Sequence, residues 1–89
     1  MELRPSAAVA ARRVHDEVVL VDLGTGVVYA LNATAARFWE LLTTGLDRRA
    51  IEQALLAEFD VDPRRLDGEI RALTVELSAR GILVGDARA

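Results

Sequence analysis

The 89-residue chain has no cysteine and no lysine, one histidine and two prolines. Without thiols, disulfides, thiolate catalysis and cysteine-ligated metals are excluded, and the absence fits a reducing compartment. The one histidine, His15, has no second imidazole with which to share a metal and no nearby serine to activate, so it reads as a surface residue of a turn. Aromatic residues contribute only 4% against 52% hydrophobic overall. The core is therefore aliphatic, with Phe38, Trp39, Phe59 and Tyr29 as its largest pieces. A surplus of positive charge is missing too: 11 arginines face 14 acidic residues for a formal net charge of −3, which repels phosphate backbones and anionic lipid. The N-terminus lacks the basic start and apolar run of a signal peptide, and no stretch approaches a membrane span. These absences point to a soluble cytosolic protein with neither nucleic acid nor membrane as partner.

What remains is a pattern of short strands followed by helices, at a length that fits one small domain. Residues 1–8 read as a loose lead-in, because Pro5 removes an amide donor and its neighbours lack periodicity. Val9–Val14 reads as a first strand and His15-Asp16 as a turn. "EVVLVDL", Glu17–Leu23, is rich in β-branched residues and alternates well enough to bury one face. Gly24-Thr25-Gly26 supplies a hairpin connection, and "VVYAL", Val27–Leu31, is the returning strand. Asn32 is a good N-cap for a helix reaching Leu42 or Thr43, with Ala35, Phe38, Trp39, Leu41 and Leu42 on one broad face and Arg37 and Glu40 pointing away. Gly45 ends that helix. Asp47 caps a second, in which Ile51, Ala54, Leu55 and Phe59 recur at helical spacing. Asp62 followed by Pro63 is the clearest start signal in the chain. The helix it opens carries Leu66, Ile70, Leu73 and Leu77 on one stripe and stops at Gly81. Gly68 inside it is either tolerated or packed against closely. "ILV", residues 82–84, is an extended tail placed to tuck onto the core.

Catalytic and cofactor chemistry finds no support in these residues. Asp60 and Asp62 flank a helix start, where capping explains them better than acid–base work. "GTG" is followed by a strand and lacks the lysine and helix N-terminus of a phosphate loop. "NAT", residues 32–34, matches a glycosylation acceptor in a chain without a secretion signal. No catalytic residue, metal site or cofactor is expected, and the protein is read as a binding module.

Two binding readings follow. Three helices with a β element can form a winged helix-turn-helix that reads DNA, with the helix after Pro63 in the groove. Its arginines Arg64, Arg65, Arg71 and Arg80 are interleaved with Asp67, Glu69 and Glu76, a mixture poorly suited to phosphates. The other reading starts from the hairpin. A sheet of three short strands has two edges, and "VVYAL" carries no charge to discourage pairing. Such an edge beside an amphipathic helix recognises an extended peptide by adding it as one more strand.

The segments "VVLVDLGTGVVYALNATAARFWELL", "AIEQALLAEFDVD" and "EIRALTVELSARGIL", in this order, resemble the PqqD-like proteins, or RiPP recognition elements, from about Val9 to Val84. The features that carry the likeness are Leu20-x-Asp22 before the turn, the Tyr29-x-Leu31-Asn32 junction with Ala35 and Trp39 after it, and the Leu77-x-x-x-Gly81 ending. Within that family the chain is most similar to the stand-alone leader-binding proteins of lasso-peptide biosynthesis. The quinone-pathway member typically has Tyr-Pro-Glu in its hairpin, where this chain has "LGTG".

The resemblance implies an α+β, winged helix-turn-helix-like fold, with a three-stranded antiparallel sheet followed by three helices in a single domain over residues 1–89. It implies no catalysis, and a cleft between third strand and third helix that takes the leader of a ribosomally made precursor as a fourth strand. In lasso systems the leader is then cut by a transglutaminase-like cysteine peptidase. Carried over by position, the strand side of the cleft is Val27, Val28, Tyr29, Ala30 and Leu31. The helix side is Leu66, Glu69, Ile70, Leu73, Thr74 and Leu77. Glu69 stands at a position that is usually acidic in the family, which implies contact with a basic or amide group of the leader. The four helix-side apolar residues are also at core spacing, so both uses are open for them.

Overall fold

The computed structural model describes residues 3–85. The chain runs β1 (Leu3–Pro5), β2 (Val9–Val14), β3 (Glu17–Asp22), β4 (Val28–Leu31), α1 (Ala33–Thr43), α2 (Arg48–Glu58), α3 (Pro63–Ala79) and β5 (Leu83–Gly85). Strands β2, β3 and β4 form an antiparallel sheet in that order, and three helices follow, giving the expected α+β fold.

The hairpins follow from local chemistry. At the β3–β4 turn, Asp22 Oδ1 accepts from the amides of Gly24 (2.9 Å) and Thr25 (3.3 Å), and the Asp22 carbonyl accepts from Gly26 (2.7 Å). Gly26 has φ +78° there, a conformation that favours glycine. All three helices start on the expected caps: Asn32, Asp47 and Asp62 accept from the amides of Ala35, Ala50 and Arg64. At the end of α3, Gly81 takes φ +74° and Ile82 N donates to Leu77 O at 2.9 Å, the long bond of a Schellman cap.

Alternation along the strands decides which face is buried. Val18 and Leu20 of β3 and Leu31 of β4 pack with Trp39, Leu77, Ile82 and Leu83 in a cluster between sheet and helices. Phe38, Leu41, Ile51, Leu55, Leu66 and Ile70 form a second cluster among the helices. Leu42 and Leu73 touch both. Ion pairs join the elements at the surface: Arg13 with Glu40, Arg37 with Glu58 at 2.9 Å, and Arg48 with Asp67 at 2.9 Å. Arg71 and Arg48 beside Asp67 hold its carboxyl below the usual value.

The lead-in expected to be loose is instead structured where described. Leu3–Pro5 pairs antiparallel with Leu83–Gly85, and Ser6 N donates to Ile82 O at 2.8 Å. Leu3 packs against the sheet-side cluster, so burial and a partner 80 residues away order a segment with no local signal. Residues 1–2 lie outside the described region. The tail "ILV" does tuck onto the core, with Ile82 and Leu83 buried.

Gly68 proves to be tolerated rather than required, because a Cβ there would meet nothing within 4 Å. Gly68→Ala is expected to stabilise the fold by about 0.5–1 kcal/mol, since alanine loses less freedom on entering a helix. In a domain of this size that raises the thermal midpoint by roughly 4 °C, readable by circular dichroism.

Candidate functional site

Strand β4 is an edge: β3 pairs with one side of it, and among the described residues no strand pairs with the other. Which of its backbone groups are vacant follows from the phase of the ladder. Asp22 N donates to Val27 O at 2.9 Å, marking Asp22–Val27 as a hydrogen-bonded pair. Opposed pairs in an antiparallel ladder alternate between bonded and non-bonded. With Val21 opposite Val28, Leu20 opposite Tyr29, Val19 opposite Ala30 and Val18 opposite Leu31, Tyr29 and Leu31 direct amide and carbonyl toward β3. Val28 and Ala30 direct theirs outward. The vacant edge therefore offers four backbone groups from two residues, fewer than the whole Val27–Leu31 run expected from sequence.

Side chains along β4 divide the same way. Leu31 is buried in the core and Tyr29 is half-buried on the helix side. Val28, 62% exposed, and Ala30 lie on the opposite face of the sheet with Val19 and Val21. Ala10 and Arg12 of β2 complete that outer face, which is mostly apolar and faces away from the helices.

The helix wall beside β4 comes from α3. Arg80, its C-cap, places its guanidinium 5.3 Å from the centroid of the Tyr29 ring and 3.4 Å from Glu76. The Glu76 carboxylate favours the protonated phenol and, with partial burial, raises the Tyr29 pKa above its ordinary value, while Arg80 acts in the opposite direction. Counting back by helical steps from Arg80 through Glu76 gives Leu73 and then Glu69, so these four share a stripe on the β4 flank. Glu69 is paired with Arg65 at 3.3 Å, and Leu73 is half-buried. The backbone of α3 packs most closely on β5, α2 and α1 rather than on β4.

Of the six helix-side residues expected, the structure brings Glu69 and Leu73 to this stripe. Leu66 (1% exposed), Ile70 (2%) and Leu77 (0%) are packed in the core, one of the two uses open to them from sequence. Thr74 is on the other flank of α3, where it donates to Ile70 O and lines a cavity with Leu3, Phe38 and Leu42. Glu76 and Arg80 were missed. Their spacing of seven and eleven residues from Glu69 carries the signal, once the stripe is followed beyond the leucines.

Among the described residues no group of histidine, cysteine, aspartate or glutamate is placed to hold a metal, and no helix is long and apolar enough to cross a membrane.

Comparison with known proteins gives a consistent picture. The family described as Coenzyme PQQ synthesis protein D (PqqD) matches residues 17–83. The structure of TbiB1 in complex with the TbiA(beta) leader peptide superposes with a TM-score of 0.86 at 34% identity, over 94% of this chain and 98% of that one. A lasso peptide synthetase B1 complexed with the leader peptide gives a TM-score of 0.85 at 26% identity, over 96% of this chain and 100% of that one. Comparison with curated protein sequences returned no match.

Proposed function

We propose, from the premise that this chain belongs to the PqqD family, that it is a RiPP recognition element of lasso-peptide biosynthesis. It is a single non-catalytic domain that captures the leader of a ribosomally made precursor by β-strand addition. The observation that carries the reading is the vacant edge of β4 beside α3, in a chain 34% identical to a protein solved with a leader peptide. Val28 and Ala30 hold the guest backbone. Tyr29, Leu73, Glu69 and Glu76 meet the side chains it turns toward α3. Strand addition suits this edge because β4 contains neither proline nor charge to resist a guest.

The captured precursor is then presented to a separate leader peptidase, a transglutaminase-like cysteine protease, in the cytoplasm where the precursor is made. The outer sheet face of Val19, Val21, Val28 and Ala30 stays uncovered with a guest in place. Alternate guest side chains extend it, so a peptidase resting there touches carrier and cargo together.

Duplex DNA binding receives no comparable support. Along α3, Arg65, Arg71 and Arg80 are each paired with a carboxylate four residues away, leaving a wall of balanced charge.

Titration of a fluorescently labelled precursor leader tests the reading. Five or six backbone-paired residues with two or three apolar anchors give a dissociation constant between micromolar and tens of nanomolar, roughly −8 to −10 kcal/mol after the leader's ordering cost. Binding of labelled duplex DNA in place of the leader would refute it.

A further inference from the structure

A cavity lies on the flank of α3 opposite β4 and takes no part in the strand-addition site. It encloses about 570 Å³ between β1, the end of α1, the loop before α2 and the middle of α3. That volume is in the range of small-molecule sites. Leu3, Pro5, Phe38, Leu42 and Ile51 supply an apolar lining, and Leu46 stands at the rim, 40% exposed.

A second peptide strand does not suit this place. Ser6 N bonds to Ile82 O, so the alternation of the β1–β5 ladder turns the backbone groups of Arg4 toward β5 and leaves those of Leu3 and Pro5 directed away from it. Pro5 has no amide to give, and a three-residue edge interrupted by proline resists strand addition.

The polar groups around the opening are nearly all engaged. Thr74 donates to Ile70 O, Thr43 to Glu40 O, and Asp47 Oδ1 caps α2. Arg48 is bound to Glu52 and Asp67. Arg4 lines the cavity and its side chain makes no ion pair or hydrogen bond among the described residues. We propose that this cavity is a second binding site, for a small amphiphilic anion whose apolar body fills the space and whose single negative head meets Arg4. An aromatic sulfonate and an alkyl carboxylate share that chemistry, and a neutral alcohol lacks it.

The test is fluorescence titration with 8-anilinonaphthalene-1-sulfonate, displaced by decanoate or by decanol. The expected result is one dye per chain, displaced by decanoate at least about tenfold more effectively than by decanol, and retained at saturating leader peptide. Arg4→Gln, an exposed change, lowers dye affinity at least about fivefold with an unchanged melting curve. Thr74→Trp fills the cavity and abolishes binding in protein shown by circular dichroism to be folded. No dye binding, full affinity in Arg4→Gln, or displacement of the dye by leader would overturn the proposal. Retention of the dye with loss of leader binding in Val28→Pro would keep the two sites separate.

Discussion

Val28→Pro is expected to weaken leader binding by about 100-fold or more, about 2.7 kcal/mol, while leaving the helices folded. The position is chosen by the phase of the ladder. The Val28 amide faces away from β3, so its loss removes a donor from the guest and not from the sheet. The guest carbonyl opposite it then goes unpaired at about 1–3 kcal/mol, and the pyrrolidine ring occupies the space the guest backbone needs. Proline is tolerated on an edge strand when its nitrogen faces outward. Tyr29→Pro makes the contrast: its amide belongs to the β3–β4 ladder, so that change damages the sheet before it affects the guest. Normal titration of labelled leader by folded Val28→Pro would show that the guest does not pair with β4.

Leu77→Ala should act in the opposite way, costing stability and sparing recognition. Leu77 is 0% exposed and packs where α3 meets Leu20, Trp39 and Leu83. Truncation of a buried leucine costs about 2–5 kcal/mol. A small aliphatic domain has a total stability near the low end of the usual range, about 5 kcal/mol, so much of the margin disappears. Urea denaturation is expected to show a large drop in midpoint at unchanged slope. Leader affinity of the folded protein, measured at low temperature, should stay within about threefold of wild type, since the side chain is packed in the core. A variant that kept its stability and lost the leader would place Leu77 in the groove wall instead.

The comparison of these two residues shows where sequence reasoning reached and where it stopped. Capping residues, the Asp22 turn and the helix stripes were legible because each depends on neighbours a few residues away, and the structure uses Asn32, Asp47, Asp62 and Gly81 as expected. The β1–β5 pairing was not, because a three-residue strand has no period and its partner lies at the other end of the described chain. The stripe on α3 was legible and its orientation less so. Helical spacing put Leu66, Ile70, Leu73 and Leu77 on one stripe, yet a stripe does not say which members face a neighbouring helix and which face a gap. That depends on the tilt of α3 against the sheet, a long-range property. Thr74 shows the same limit: one residue beyond Leu73 is a rotation of about 100°, enough to carry it to the opposite flank.

The pairing of Leu3 with Gly85 brings the two extremities of the described chain within one interstrand spacing of each other. A bridge of a few glycines between these two residues would close the described segment into a ring at little entropic cost. Fresh ends opened at the solvent-facing tip around Leu23 would then give a circular permutant with the same packing. In such a permutant the severed tip begins or ends beside β4, a natural point from which to tether a guest segment covalently to the strand that receives it.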